Sequence, residues 1–421
     1  MRFRLLLCLV LDVYLVVCAH AELPLARSEQ LAAGSLDQDG AVALALAAQP
    51  LLAARSDAVH ALREDAAAAG QLPDPKLSFG VQALSVDSFN FNSMDMTQAM
   101  IGISQMVPGG AKRGLNRARG ESQALLAESD LASTRRDIER EVRLAWIDLW
   151  QPTQALGWLH RLGDAYELQL EWGEVSYKAG KLTRDEILQW QAMREGIRDR
   201  ESEQRMLRAR ARAQLRRWLG TAGDAEPVPD LPPALSLGAE AEARLERHPE
   251  LLRTQRQLDL AHADVGLARE AVKPDWNLGL AYGARSGARA DVVSFQVEVD
   301  LPVFHAQRQD RRLGARLAEA NQAGEQLEDK RRTLLADLRG TRAEQETAQE
   351  RMRRFEQVIL PLNLAREAAA MTEYRSGKEA WGRVLDARRD ILETRLLWLA
   401  QKAAGARADV QLRYLIGGEQ P

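Results

Sequence analysis

Apolar and polar residues alternate in four short runs. Leu77, Phe79, Val81 and Ala83 alternate with Lys76, Ser78, Gly80 and Gln82. Ala99, Ile101 and Ile103 alternate with Gln98, Gly102 and Ser104, with Met100 as the exception. Trp276, Leu278, Leu280 and Tyr282 alternate with Asn277, Gly279, Ala281 and Gly283. Val293, Phe295, Val297, Val299 and Leu301 alternate with Ser294, Gln296, Glu298 and Asp300. This period of two predicts strands near 76–85, 97–107, 276–284 and 292–301. Each run is about ten residues, the length of a tilted membrane strand with one lipid face and one wet face.

The rest of the chain has helical periodicity. The pattern predicts helices near 38–69, 112–175 and 183–219, then 241–271, 305–372 and 379–415. Heptad spacing is clearest at Leu385, Leu392, Leu396, Leu399, Ala403, Ala406 and Val410. Pro152 and Pro361 fall inside the long helices, where a proline kinks or breaks the hydrogen-bond ladder.

The chain also repeats itself once. Gln49-Pro50-Leu51-Leu52 resembles His248-Pro249-Glu250-Leu251, and Pro75 before Leu77 to Gly80 matches Pro274 before Trp276 to Gly279. Tyr177 to Lys181 matches Tyr374 to Lys378, and Leu215 to Gly220 matches Leu412 to Gly417. The order divides the chain into repeats 22–219 and 241–417, with a linker at 220–240 and a tail at 418–421. At about 1.5 Å per residue the long helix of each half spans roughly 95–100 Å. That matches the two shorter helices of the same half stacked end to end. Tyr177 to Lys181 and Tyr374 to Lys378 form the bottom turns, and Pro108 and Pro302 mark the tops, where strand becomes helix.

"IGISQMVPGGAKRGL" shows that junction directly, a strand passing through Pro-Gly-Gly into a basic helix. Such a join suits a membrane barrel that extends into a helical tube. Four strands alone leave open edges in lipid, so other copies must close them. Three copies supply twelve strands around an aqueous lumen, in cyclic symmetry.

Composition adds the compartment. Arg2 and Arg4 precede an apolar run, Leu5 to Val17, and Ala19-His20-Ala21 offers a cleavage site after Ala21, so residues 1–21 are expected to be an export signal. Asp12 inside the apolar run is unusual. Cys18 presents the alternative of a lipid-modified cysteine, although Val17 before it is not small. Both cysteines lie in that segment, so the mature chain has neither disulfides nor thiolate metal sites. Its 55 basic and 59 acidic residues give a net charge of −4 and no nucleic-acid footprint. No later run of apolar residues is long enough for a transmembrane helix.

The ordered stretches "LPDPKLSFGV", "MTQAMIGISQMVPGGAKRG", "RHPELLRTQRQLDLAHADVGLAREAVKPDWNLGLAY" and the paired turns "YKAGKLTRDEILQ" and "YRSGKEAWGRVLDA" resemble the TolC-like outer-membrane efflux channels. The resemblance covers nearly the whole mature chain. It implies a mainly α fold with a small membrane β part. Two internal repeats supply long coiled-coil helices to a periplasmic α-barrel. Four β-strands per chain contribute to a trimeric 12-stranded outer-membrane β-barrel. It further implies a homotrimer in outer-membrane lipid, a periplasmic adaptor and an inner-membrane pump of the resistance-nodulation-division type. "MTQAMIGISQMVPGGAKRG" is most similar to the branch that exports heavy-metal cations.

No catalytic constellation is present, and no cofactor is expected. The mature histidines His60, His160, His248, His262 and His305 are scattered, with no metal-protease spacing. Lys112, Arg113, Arg117 and Arg119 lie just below a membrane strand, where an interfacial anchor is a better reading than nucleic-acid binding. Met94, Met96, Met100 and Met106 form the one chemically suggestive group, since thioethers are soft ligands and also flexible packing. Near the bottom turns lie Arg184, Asp185 and Glu186, then Glu379, Arg383 and Asp386. The resemblance implies a closed periplasmic tip with charge links near a tyrosine and an aspartate ring. Tyr374 and Asp386 match it by position, Glu186 stands where an aspartate is common, and Arg383 replaces a ring aspartate. A periplasmic coiled-coil adaptor, a type I protein-secretion duct and a secreted helical-repeat enzyme are the alternatives weighed. Adaptors usually carry one helical hairpin, and this chain carries two with membrane-type strands.

Overall fold

The computed structural model describes residues 37–92, 94–224, 231–235, 238, 240–287, 289–378 and 381–417. The expected signal with its cleavage site after Ala21, Glu379 and the tail 418–421 lie outside the described residues. The elements are α1 (Gln38–Ala48), α2 (Pro50–Ala69), β1 (Lys76–Gln82), β2 (Gln98–Val107), α3 (Lys112–Lys178) and α4 (Arg184–Leu219). Then come α5 (Ala241–Leu245), α6 (Pro249–Glu270), β3 (Trp276–Arg285), β4 (Val292–Val299), α7 (Gln309–Arg354), α8 (Leu360–Arg375) and α9 (Gly382–Ile416).

Two helices expected to be continuous are divided, and proline is the reason. Gln49 is extended at φ −75°, ψ 114° and Pro50 opens α2. His248, at φ −65°, ψ 131°, precedes Pro249, which opens α6. A proline pushes the residue before it out of the helical region and fits the first helical turn, where no N–H is needed. The two internal prolines behave differently. Helix α3 runs unbroken through Pro152, with the Thr153 hydroxyl donating to the Leu149 carbonyl at 2.7 Å. Just before Pro361 the chain makes a π turn, Phe355–Ile359, in which the Leu360 N–H donates to Phe355. The wider turn absorbs the break between α7 and α8.

Each long helix carries its shorter partners end to end. Along α3, Gly120 lies against Ala66, where an added Cβ would come within 2.7 Å of the Ala66 Cα. Farther down, Arg143 pairs with Asp39 at 2.8 Å, and Arg194 of α4 pairs with Glu167 at 2.6 Å. Near the bottom, Gly173 lies against Trp190, where an added Cβ would come within 2.8 Å of the indole ring. The second half repeats the layout, with Arg339–Glu242 at 3.1 Å near the α7 middle and Arg388–Glu367 at 2.8 Å below. The cores are correspondingly strung out. One joins α1, α3 and α4 through Val42, Ile138, Trp146, Leu149 and Leu215. Another joins α3, α4 and α9 through Leu159, Tyr166, Trp190, Ile197, Leu385 and Leu392.

The four strands form one antiparallel sheet in the order β1-β2-β3-β4. Its centre is the pairing of β2 with β3, from the two halves of the chain, in register Gly102↔Ala281. No single helix among the described residues is long and apolar enough to cross a bilayer. The bent pair α1–α2 meets that test only jointly. That pair contributes Ala41, Val42, Ala45 and Leu52 to the α3 core.

One polar cluster is buried where α6 begins. His248 is 1% exposed, and its Nδ1 accepts from the Glu250 N–H at 3.2 Å, capping the helix. Tyr414 lies edge-on to the imidazole, with centroids 5.1 Å apart, and its hydroxyl donates to Glu250 at 2.6 Å. Lys330 of α7 pairs with the same carboxylate, and the Arg140 guanidinium covers the Tyr414 ring at 4.3 Å. Burial first, then the Arg136 and Lys330 charges, hold His248 at about 4, against 6.5 normally, while Glu250 opposes the shift. The unfolded chain therefore takes up this proton first. Stability present above pH 6.5 should be lost as pH falls from 6.5 to about 4. The loss should reach up to roughly 3 kcal/mol. His248→Asn keeps a capping acceptor and cannot titrate. Circular-dichroism melting of the variant should be flatter across that window than wild type. Parallel curves would assign the acid sensitivity elsewhere.

Candidate functional site

The register divides the sheet into two unlike faces. Leu77, Phe79 and Val81 of β1 stand opposite Ile103, Ile101 and Ala99 of β2. These in turn oppose Leu280, Tyr282 and Ala284 of β3. Leu278, Leu280 and Tyr282 then oppose Val297, Phe295 and Val293 of β4. This face is apolar apart from Gln105, and Phe79, Val293 and Phe295 are 73%, 67% and 71% exposed. The other face carries Ser78, Gly80, Gln82, Gln98, Ser104, Asn277, Gln296 and Glu298. Asn277 donates to Glu298 at 3.1 Å, and Gln296 donates to Glu298 at 2.7 Å. One sheet is thereby suited to lipid on one side and water on the other.

The methionines fall on different sides of this division. Met100 and Met106 share the polar face, and the Gln98 amide approaches the Met100 sulfur at 3.7 Å. Met100 broke the sequence alternation because it belongs to this wet face. Met94 and Met96 lie in the β1–β2 loop, 46% and 63% exposed. That loop is tied to the β3–β4 turn by Arg289–Asp95 at 2.6 Å and by Ser286 bonding the Phe91 carbonyl at 3.0 Å. Among the described residues, no group of three or more His, Cys, Asp or Glu is placed to hold a metal ion.

The strand-to-helix junction is built from close contacts. Gly109 passes so near the Pro274 carbonyl that a Cβ would lie 1.8 Å from it. Its N–H donates to Asp275 at 2.7 Å, and Lys112 reaches the same carboxylate at 2.8 Å. Arg113 donates to the Gly70 carbonyl at 3.2 Å, Arg117 pairs with Glu121 at 2.8 Å, and Arg119 pairs with Asp264 at 2.5 Å. The basic cluster read as an interfacial anchor therefore ties the head of α3 to α2, α6 and β3.

At the opposite end, the hairpin turns carry Gly180 at φ +69° and Gly377 at φ +71°, which a side chain would strain. The tip residues have distinct settings. Thr183 and Glu186 form a capping box: Glu186 accepts from the Thr183 N–H at 2.8 Å and from its hydroxyl at 2.9 Å. Arg184 and Asp185 are exposed beside it. Tyr374 packs edge-on against Trp381, with centroids 4.8 Å apart. Arg383 and Asp386 are exposed, and Asp386 faces Arg389 at 3.7 Å. Two residues that the motif reading passed over complete the cluster. Trp381 receives the Arg388 guanidinium at 5.7 Å, and Tyr166 is buried with its hydroxyl directed to the Met193 sulfur at 3.3 Å. Burial raises the Tyr166 pKa. The "T-R-D-E" spacing of a capping box was available as a signal for Glu186. Tyr166 carried none, because its burial is created by α4 and α9 together.

Three-dimensional likeness is extensive and sequence likeness is low. The fold is similar to that of the CusC channel, with a TM-score of 0.74 and 16% identity over 91% of this chain and 93% of that one. It is similar to the outer membrane protein VceC of Vibrio cholerae, at 0.75 and 16%, over 90% and 96% of the two chains. The open-state MtrE outer membrane channel of Neisseria gonorrhoeae gives 0.75 and 16%, over 90% and 89%. No curated protein matches the sequence. The model of the outer membrane efflux protein family matches residues 41–221 and 241–418, on either side of the linker. The chain belongs to the outer membrane efflux protein family.

Proposed function

We propose that three copies of this chain close a twelve-stranded barrel in the outer membrane. Beneath it, a periplasmic helical tube would act as the exit duct of a tripartite efflux system. The observation that carries this is the two-faced sheet, apolar on one side and polar on the other, running directly into α3 and α7. The family is one of channels of the outer membrane, not of enzymes. In this reading the apolar face contacts lipid, the polar face lines the lumen, and each copy's β4 pairs with β1 of the next. A periplasmic adaptor and an inner-membrane pump of the resistance-nodulation-division type would deliver cargo, and the duct itself would be passive. In this reading each copy would contribute one α3-type and one α7-type rod to the tube.

Heavy-metal cations are the proposed cargo. The support is the resemblance of the first membrane hairpin to the cation-exporting branch, together with Met100 and Met106 on the polar face. Thioethers there could contact a soft cation in passage without a resident site. The proposed closed end is the hairpin tip, with Tyr374, Arg383 and Asp386 as its main residues. Glu186 is the weaker candidate, because Thr183 already engages its carboxylate. Exposed charges contribute little singly, but threefold repetition in a narrow tube brings them together and focuses their field.

Three outcomes test this. Val297→Arg on the apolar face should reduce assembled protein in outer membranes, since an arginine near the bilayer midplane costs roughly 2–4 kcal/mol per copy. Gln296→Arg on the polar face should be recovered as wild type, and equal loss of both would refute the assignment of faces. In planar bilayers, Asp386→Ala should lower cation over anion permeability by about twofold. Arg383→Ala should raise the resting open fraction. Wild-type conductance, voltage response and cation block in both variants would put the closed end elsewhere. Replacing Met94, Met96 and Met100 with leucine keeps apolar volume. It should sensitise cells to copper or silver while leaving tolerance of organic toxicants intact. Unchanged metal tolerance at normal protein level would make Met94, Met96 and Met100 packing only.

A further inference from the structure

Where β4 gives way to α7, the chain displays three large apolar side chains in a row. Leu301, Val303 and Phe304 are 74%, 75% and 72% exposed. Their arrangement is fixed, not frayed. Sheet pairing continues one step past β4, with the Asp300 N–H donating to the Asp275 carbonyl at 3.2 Å. Side-chain alternation therefore carries on from Val297 and Val299 to Leu301, on the apolar face. A turn follows, in which Val303 donates to Leu301 at 2.9 Å, and Gln307 and Arg308 donate to the Phe304 carbonyl at 3.1 and 3.2 Å.

These side chains form one wall of a cleft of about 480 Å³. Lys112, Lys273, Arg308 and Arg312 provide its basic groups, against Asp275 and Asp300. Two of the four cations are already engaged, Lys112 by Asp275 at 2.8 Å and Lys273 by Glu270 at 2.8 Å. Arg308 and Arg312 have no side-chain hydrogen bond or ion pair among the described residues. The cleft thus offers apolar surface continuous with the membrane face on one side and two uncommitted guanidiniums just below it. An amphiphile with an anionic head matches both parts, because guanidinium grips phosphate in a bidentate fashion. The level also fits. Trp276, the last apolar-face residue of β3 on this side, stands opposite Val299 and Val107, where an aromatic belt meets the headgroups.

We infer that the β4–α7 junction binds one anionic phospholipid of the periplasmic leaflet per copy. Its acyl chains lie on Leu301, Val303 and Phe304, and its phosphate is held by Arg308 and Arg312. The contact sets the depth of the barrel and clamps the head of α7 to the leaflet. Lipid capture here depends on the sheet lying in the bilayer, which the Val297→Arg recovery assay examines separately.

Native mass spectrometry of the full-length assembly, extracted from outer membranes in zwitterionic detergent, tests it. The probes are phosphatidylglycerol, phosphatidylethanolamine and excess inorganic phosphate as competitor. Wild type should hold phosphatidylglycerol ~10-fold more tightly than phosphatidylethanolamine. Arg308→Gln with Arg312→Gln should lose that preference, Phe304→Ser should weaken both lipids, and inorganic phosphate should displace neither. Equal phosphatidylglycerol binding by wild type and the double variant would overturn the inference. So would full displacement by phosphate with no effect of Phe304→Ser, which would make the cleft a simple anion site. Loss of assembly in Phe304→Ser, with normal lipid binding by what remains assembled, would make it a subunit contact and also overturn the inference.

Discussion

A strand in hydrocarbon needs hydrogen-bond partners on both edges, because no water is there to supply them. Among the described residues β1 and β4 each have one strand neighbour, β2 and β3 respectively, and no strand pairs with their outer edges. Each unsatisfied backbone group in lipid costs several kcal/mol. The proposed closure by neighbouring copies removes that cost, which a single copy with open edges would carry. The division of the sheet into an apolar face through Phe79, Ile101, Leu280 and Phe295 and a polar face through Ser78, Ser104, Asn277 and Gln296 makes sense only once those edges are closed.

The helices inherit that constraint through short junctions. Gly109 lies against Pro274, and Lys112 is tied to Asp275, so α3 leaves β2 at a set position relative to β3. A barrel closed above fixes where the helical rods start, and the end-to-end packing of α1, α2 and α4 along α3 carries that spacing down to the tips. The two halves then diverge. The first descends as a single helix through Pro152, whereas the second contains the π turn before Pro361 and the aromatic pair Tyr374–Trp381 at its end. Among the described residues, the second half therefore has a local helical irregularity and an aromatic pair at its tip without counterparts in α3 and its turn.

Much of this was legible because period and length are strong signals. Alternation gave the strands to within a few residues, and Met100, the apolar exception, keeps the register as a thioether on the polar face. The exceptions have physical causes. Pro50 and Pro249 lie within helical periodicity, yet each forces the preceding residue into extended geometry, so two apparent helices became four. Pro361 behaves according to its hydrogen-bond context, since a π turn re-satisfies the ladder before it. Of the tip residues, Glu186 was read for its charge while its spacing from Thr183 made it a cap. Trp381 and Tyr166 gain their roles from packing between elements distant in sequence, which single-chain periodicity does not reveal.

Backbone hydrogen exchange on the assembled protein, resolved by peptide, addresses the edge constraint directly. If β1 and β4 are closed by neighbouring copies, the amides of 76–82 and 292–299 should be protected as strongly as those of 98–107 and 276–285. That protection should vanish from β1 and β4 first when the assembly is dissociated. Fast exchange in β1 and β4 beside slow exchange in β2 and β3, in the intact assembly, would mean the edges are open and would contradict the account.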